Sequence, residues 1–329
     1  MSQSCPLCKN TEKEFFVRAY DRMVPRQENF NYVRCGSCSL VYLDPIPDNM
    51  EKYYPDNYSP YSISPKKKKK SAITRLAIRY HFSLDKPEGG VLIRFLFSQL
   101  SHIIMKKRAL SPFGNNRLLD IGCGAGNFLY RHQQLGWYVR GIDFSQKAFE
   151  TCQQQGLKVH HGDVFSADYD GNSFDVITLR QVIEHVPEPV KVLRRAAEFL
   201  VPDGKILVST PNVESLGILF FGNCWYPLDA PRHLVLFSPK TIHRLAEMAG
   251  LSINRISMFI QPRYFSKSLQ YLMGQGRILP ENLVERKQVF AREKKKKRKW
   301  IRYVASPLTR IGSWFGKGEG MEVEMVKKT

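Results

Sequence analysis

Residues 118–128 read Leu118-Leu119-Asp120-Ile121-Gly122-Cys123-Gly124-Ala125-Gly126-Asn127-Phe128, and this stretch decides the fold. A short apolar run ends in three alternating glycines, and a helical pattern follows. That is how a buried strand turns into a helix. Glycines at such a turn let the backbone bend without a Cβ clash and let a ligand approach the main chain closely. A dinucleotide fingerprint needs G-x-G-x-x-G. Here Gly126 comes one position early and Asn127 fills the last slot, which weighs against NAD.

The alternation continues on the C-terminal side. Strands are expected at Arg117–Asp120, Tyr138–Asp143, around Val159 up to Asp163, Phe174–Leu179 and Lys205–Thr210. Helices are expected between them near 126–135, 145–155 and 188–200, the last stopped by Pro202-Asp203-Gly204. A further helix over Pro239–Ala249, a strand over Leu251–Ile260 and a closing strand over Met321–Val326 complete the pattern. Strands alternating with helices in this way predict an α/β fold with a doubly wound parallel sheet. Ligands of such sheets sit outside the carboxyl ends of the strands. Asp143 ends the second strand, 21 residues after Gly122, and suits a pair of ribose hydroxyls. Asp163 lies 20 residues further on, at the end of the third strand, and suits an exocyclic adenine amine.

Five pieces in this order resemble the class I S-adenosylmethionine (SAM)-dependent methyltransferase family. They are Asp120-Ile121-Gly122-Cys123-Gly124-Ala125-Gly126, Gly141-Ile142-Asp143, His161-Gly162-Asp163-Val164, Phe174-Asp175-Val176-Ile177 and Leu200-Val201-Pro202-Asp203-Gly204-Lys205. The resemblance implies SAM as cofactor and a Rossmann-like sheet of seven strands whose last two form an antiparallel hairpin. It also implies a cofactor set of Asp120, Gly122, Gly124, Gly126, Asp143, Asp163 and Val164. The glycine loop would pack on the methionine moiety, with Asp143 at the ribose and Asp163 at the adenine. A nucleotide-binding domain without catalysis is the plainer alternative.

The N-terminal segment carries a second signal. Cys5-Pro6-Leu7-Cys8 and Cys35-Gly36-Ser37-Cys38 form two C-x₂-C pairs with 26 residues between them. Each pair places two thiolates on one face of a tetrahedral zinc, and Gly36 is expected to ease the second turn. Four thiolates leave no open coordination position, so the expected zinc is structural; redox cysteines are the alternative. A short zinc ribbon, a Val41-Tyr42-Leu43-Asp44-Pro45 exit and a class I domain together resemble a bacterial group often encoded with sugar, polysaccharide and lipid biosynthesis genes. Some of its members are sugar C-methyltransferases. The resemblance implies a small or lipid-linked glycan-type acceptor, O- or C-methylated, with the ribbon helping to cover it.

Acceptor chemistry is expected after the fourth and fifth strands. There stand Arg180-Gln181-Val182-Ile183-Glu184-His185-Val186 and Trp225-Tyr226-Pro227-Leu228-Asp229-Ala230-Pro231-Arg232-His233-Leu234. Histidines titrate near neutrality, so His233 and His185 are the candidate general bases, with Glu184 and Asp229 behind them. A histidine there can also merely cap the strand or pack near the methionine end. Arg232 is expected to pair with a phosphate or carboxylate of the substrate.

Fifty Lys and Arg against thirty Asp and Glu give a net charge of +20, and about half of it lies in two runs, Lys66–Lys70 and Lys294–Lys299. Such runs read as partner segments. Beside Trp300 and Ile301, and with the apolar stretch 91–105, they point to peripheral attachment on an anionic membrane surface. Nucleic acid is the less favoured partner. The start, Met1-Ser2-Gln3-Ser4-Cys5-Pro6, lacks the features of a secretory signal, and no run of 18 apolar residues occurs. The expectation is a cytoplasmic protein, peripheral on the inner face of the membrane if the basic runs bind lipid. The expected organisation is a zinc ribbon (1–45), a linker and helical arm (46–115), a SAM-binding core (116–262) and a basic helical segment with the closing strand (263–329). A nucleic-acid methyltransferase and a non-catalytic SAM-binding scaffold are the rival functions.

Overall fold

The computed structural model describes residues 4–22, 28–54, 110–259, 261–273 and 316–328. Most of the expected linker and helical arm (46–115), both lysine runs and most of the expected basic helical segment (263–329) lie outside these residues. Among the described residues, no helix is long and apolar enough to cross a membrane.

The chain divides into two compact units. One holds residues 57–178 and 198–205; the other holds 1–56, 179–197 and 206–329. A seven-stranded sheet carries the expected pattern. Its strands are β4 (Arg117–Ile121), β5 (Tyr138–Asp143), β6 (Val159–His161), β7 (Phe174–Arg180), β8 (Leu200–Pro211), β10 (Leu251–Phe259) and β11 (Gly320–Lys327), in the order β10-β11-β8-β7-β4-β5-β6. Strands β4, β5 and β6 run parallel, while β10 and β11 pair antiparallel, as expected of the final hairpin.

The first unit is built on β4 and β5. Their register sets Asp120 opposite Gly141 and Ile121 opposite Ile142, so both strands end at the same level. Helix α1 (Asn127–Gln133) follows β4, and α2 (Gln146–Gln153) follows β5, capped by Ser145 Oγ on the Ala148 amide. Leu118, Leu119, Leu129, Ile142, Ala148 and Cys152 are buried at this junction. Gly141 permits the close approach: a Cβ there would lie 2.7 Å from Leu129 Cδ1 and 2.8 Å from Cys123 Sγ.

Two boundaries differ from the sequence expectation. The third strand ends at His161, so Asp163 stands in the turn beyond it. Helix α3 (Pro189–Phe199) runs directly into β8, which begins at Leu200. Pro202-Asp203 is therefore an exposed corner inside the strand and not a separate helix stop. Gly204 tucks beneath Leu200, where a Cβ would come within 2.7 Å of Leu200 Cδ1.

The second unit contains a four-stranded sheet that periodicity did not indicate. Its strands are β1 (Lys13–Tyr20), β2 (Asn29–Cys35), β3 (Val41–Leu43) and β9 (Val235–Leu236), in that order. The first three belong to the cysteine segment. The fourth comes from the loop after β8 and pairs antiparallel with β3. This unit also holds α4 (Leu216–Phe221), α5 (Pro239–Met248) and α6 (Pro262–Leu272). A capping box between Ser238 and Thr241 and a proline at its first turn start α5.

Asp175 at the start of β7 ties the first unit together electrostatically. Its carboxylate accepts from Arg117 Nε and Nη2 (both 3.1 Å) and from the Arg117 amide (2.9 Å). Burial raises its pKa, but the guanidinium and the amides of Arg117 and Asn115 outweigh burial and hold it below the usual carboxylate range. The depressed value means that stability from this pair is fully present above pH 3.8 and is lost as pH falls through the folded-state pKa. Asp175→Asn is expected to cost about 2 kcal/mol at neutral pH, because Arg117 stays partly solvated. It should also flatten the acid limb of the stability–pH curve in denaturant titrations.

Candidate active site

The glycine turn forms a cradle of left-handed backbone. Gly122, Gly124 and Gly126 have φ of 70°, 53° and 70°, which side-chain-bearing residues rarely adopt. Gly126 caps α1, and a Cβ on it would meet Leu157 Cδ1 at 2.4 Å and Cys152 Sγ at 2.7 Å. The Gly122 and Cys123 amides donate to the Ile142 carbonyl (2.8 and 3.1 Å), locking the turn to the end of β5. Asp143 is buried there. Its Oδ2 accepts from the Gly124 amide (2.7 Å) and its Oδ1 from the Ser145 amide (3.0 Å). Burial raises its pKa, and the two amides partly offset that rise. Asp120 is buried in β4, where Thr178 Oγ1 donates to its Oδ1 (2.5 Å). Asp163 is exposed, and its Oδ1 accepts from the Phe165 and Ser166 amides (both 2.9 Å), while Val164 beside it is buried.

In the second unit, Glu184, His185 and His233 come together, with one ligand atom of each within 4.8 Å of the others. Glu184 and His185 stand in a 3-10 turn (Ile183–His185) just after β7. The Leu234 amide donates to the Glu184 carbonyl (2.8 Å), stapling that turn to the loop that carries His233. Each imidazole is pinned through Nδ1, 2.9 Å from the Arg232 carbonyl for His185 and 2.7 Å from the Pro227 carbonyl for His233. A carbonyl only accepts, so each Nδ1 carries the proton and each Nε2 keeps its lone pair. The rings meet edge to face with centroids 4.6 Å apart. Burial lowers both histidine pKa values, that of His185 to about 3, so both rings are neutral at physiological pH. Glu184 is fully buried, and neither carboxylate oxygen has a hydrogen-bond partner among the described residues. Burial pushes its pKa up to about 8, and the neighbouring Thr210 hydroxyl opposes that only in part.

Arg232 does not reach a substrate as expected from sequence. It is fully buried, and its guanidinium donates to Asp21 (3.0 and 3.3 Å), Asp229 (2.8 and 3.2 Å) and the Tyr53 carbonyl (3.0 Å). Asp229 is thereby committed to an ion pair that outweighs burial and lowers its pKa, which makes it a poor base. Tyr32 of β2 places its hydroxyl 2.7 Å from the His233 carbonyl and 3.0 Å from that of Leu228. The cysteine segment thus buttresses both histidines. Three polar residues were missed in the sequence. Tyr54 Oη stands 3.4 Å from His185 Nδ1. Tyr264 Oη donates to Gln181 Oε1 (2.8 Å). Gln181 has a left-handed φ of 57° and a buried Nε2 with no partner among the described residues. No spacing rule marks these; only the turn after β7 hinted at Gln181.

The four cysteines predicted to act together do converge, their sulfurs all within 4.8 Å of one another. Cys5 and Cys38 are 3.5 Å apart, and Cys8 and Cys35 are 3.4 Å apart. The two knuckles repeat one geometry: the Lys9 amide donates to the Cys5 carbonyl (2.9 Å) and the Ser39 amide to the Cys35 carbonyl (3.0 Å). Lys9 and Ser39 take the left-handed conformation at φ 62° and 64°. Gly36 therefore does not supply the turn as expected. It allows close approach instead, its amide donating to the Glu12 carbonyl at 2.9 Å.

With this geometry in hand, comparison with known proteins is direct. A family model described as a methyltransferase domain matches residues 92–255. The chain carries a SAM-dependent methyltransferase domain. The domain is 27% identical over 173 residues to a ubiquinone biosynthesis O-methyltransferase of Aeromonas salmonicida, covering 49% of this chain and 71% of that protein. A ubiquinone biosynthesis O-methyltransferase of Aromatoleum aromaticum is 36% identical, over 41% of this chain and 63% of its own length. Among such curated relatives, several are matched over less than two thirds of their length, as low as 46%. The structure of a SAM dependent methyltransferase from Archaeoglobus fulgidus aligns with a TM-score of 0.43 at 18% identity, covering 71% of this chain and 93% of that one.

Within this domain-bearing chain, Arg232 offers a test of how the site is held. Arg232→Met strands Asp21 and Asp229 and is expected to cost about 3–5 kcal/mol in chemical denaturation. Arg232→Lys should recover only part of the loss, since one ammonium cannot replace the fork that meets two carboxylates.

Proposed function

We propose that the chain transfers the methyl group of SAM to a hydroxyl or carbon acid of a small acceptor, and that Glu184, His185 and His233 handle the acceptor's proton. The observation that carries this reading is the convergence of two neutral imidazoles and a carboxyl, the last buried without a hydrogen-bond partner among the described residues. Such a cluster asks for a ligand that brings hydrogens to donate. SAM, when bound, would supply a sulfonium methyl that the acceptor takes in line as the thioether leaves. The chain's own residues have to orient the acceptor and take its proton. On the cofactor side, the left-handed glycines leave backbone with no Cβ in the way. The Asp143 oxygens have lone pairs beyond the two amides they serve, which fits ribose hydroxyls. Asp120, Asp163 and Val164 complete that cofactor set.

Two observations bear on the acceptor. Relatives named for ubiquinone biosynthesis support a phenolic or quinol hydroxyl. The cysteine segment supports a glycan-type acceptor, because its sheet takes β9 from the loop that carries His233. Calorimetric titration is expected to give saturable SAM binding, no NAD binding, and at least about tenfold weaker SAM binding in Asp143→Ala. Methyl transfer should then appear with hydroquinones or with nucleotide sugars and lipid-linked glycans, and His233→Ala should abolish it while SAM binding persists. A folded chain that binds no SAM, or a His233→Ala variant of full activity, would sink the respective assignment. Methyl transfer only to RNA or DNA would favour the nucleic-acid rival, and binding without turnover on any acceptor the scaffold.

We also assign structural Zn²⁺ to Cys5, Cys8, Cys35 and Cys38. Metal–sulfur bonds of about 2.3 Å in a tetrahedron give sulfur–sulfur edges of about 3.8 Å, close to the spacing here. Burial raises Cys5 to about 11 and Cys38 well above its ordinary value, while hydrogen bonds outweigh burial and bring Cys8 down to about 7. Thiols packed this closely give up their protons together only to a cation. Elemental analysis should find one zinc bound by the cysteines, lost in Cys35→Ser along with most of the stability of the β1–β3 sheet.

A further inference from the structure

We infer that Glu184, His185 and His233 form a second metal site, distinct from the cysteine cage, that takes a divalent first-row cation through one carboxylate and two imidazoles. The inference rests on reading these residues as the acceptor-handling site and names what mediates that handling.

The first argument is convergence. The three ligand atoms lie within 4.8 Å of one another, and two of the residues are buried. The second is orientation. Histidines that ligate metals almost always donate their other ring N–H to a carbonyl or carboxylate, which fixes the tautomer and aims the lone pair. Both imidazoles here do so, His185 on the Arg232 carbonyl and His233 on the Pro227 carbonyl. Their Nε2 atoms are therefore the ones left to ligate. The rigidity extends a layer further. The residue behind the first carbonyl, Arg232, is itself locked by Asp21 and Asp229, and the His233 carbonyl faces the Tyr32 hydroxyl.

The third argument is the orphaned carboxyl. Glu184 has no solvent exposure, and neither of its oxygens has a hydrogen-bond partner among the described residues. Leaving such a group unsatisfied in the interior is costly, and more so when it is ionised. In its ionised form the carboxylate gets no relief from two imidazoles that offer lone pairs, because all three groups then accept. A cation satisfies all of them at once. Two nitrogens and an oxygen suit a divalent ion of the manganese-to-zinc series, and three protein ligands leave positions open for water or an acceptor oxygen. An acceptor hydroxyl bound there would lose its proton more readily than in water.

Mn²⁺ separates this site from the cysteine cage, because thiolates bind it poorly. Electron paramagnetic resonance of the full-length protein titrated with Mn²⁺ is expected to show one bound ion per chain. Glu184→Gln and His233→Gln should each weaken it by at least about tenfold. His243→Gln, an exposed histidine of α5, should leave it unchanged. Glu184→Gln and His233→Gln remove different ligands, and near-ultraviolet circular dichroism and thermal melting establish that each variant is folded. No bound Mn²⁺ in the wild type, or binding that survives in both folded variants, overturns the site. Methyl transfer at full rate in protein freed of this ion also removes the ion while leaving the acceptor reading intact. Bound Mn²⁺ that depends on Glu184 and His233 in a chain without methyltransferase activity keeps the metal site and removes the reading beneath it.

Discussion

The Arg232 guanidinium, wholly buried between Asp21 and Asp229, is the constraint on which the rest of the second unit depends. A buried cation is tolerated only when its donors are matched, and here four contacts to carboxylates and one to the Tyr53 carbonyl do so. Asp21 follows β1 and Tyr53 follows β3, so the cysteine-bearing segment is fastened to the loop after β8 at a point far away in sequence. The backbone of Arg232 then does a second job, its carbonyl orienting His185. One residue thereby couples the assembly of the small sheet to the direction in which an imidazole points. Loosening it would disturb geometry before it disturbed charge.

On the cofactor side the constraint is steric. Gly126 and Gly141 stand where a Cβ would collide with Leu157, Cys152, Leu129 or Cys123, so α1 seats against the ends of β4 and β5 with no room to spare. This closeness is what brings the Gly124 amide onto Asp143. The same packing that builds the core delivers a carboxylate beside bare backbone, and no separate device is needed to place the two together.

The centre of the sheet was legible because β4 and β5 are largely buried runs that lead into glycine or aspartate, and buried parallel strands announce themselves that way. The closing hairpin came through resemblance and agrees with the antiparallel pairing of β10 and β11. The cysteine spacing told of convergence, but the sheet around it was hidden. β3 has three residues and β9 two, too short to show periodicity, and β9 is recruited from a distant loop. Arg232 misled for a related reason. A sequence cannot reveal that two aspartates, one of them more than two hundred residues away, already hold its charge. Glu184, His185 and His233 were visible as chemistry-bearing residue types, yet their tautomers and the orphaned carboxyl depend on which carbonyls face which rings.

Local consistency is the rule in folded chains, so a cluster of violations in one short segment carries information. Residues 181–185 gather several. Gln181 is left-handed without being glycine, and its buried amide nitrogen has no partner among the described residues. Val182 sits at φ −130° and ψ −43°, outside the regular basins, and Glu184 follows with its unsatisfied carboxyl. Each departure costs free energy of order 1–3 kcal/mol. The surrounding structure holds them in place regardless: Tyr264 fixes the Gln181 oxygen, the Leu234 amide fixes the Glu184 carbonyl, and Arg232 fixes His185. A segment that is strained in itself and yet restrained from three sides has a geometry its surroundings over-determine, the pattern expected where a ligand is to be held. The groups it leaves unsatisfied, one donor and two oxygens, describe what that ligand has to supply: an acceptor atom for the amide, and a cation or a proton for the carboxyl.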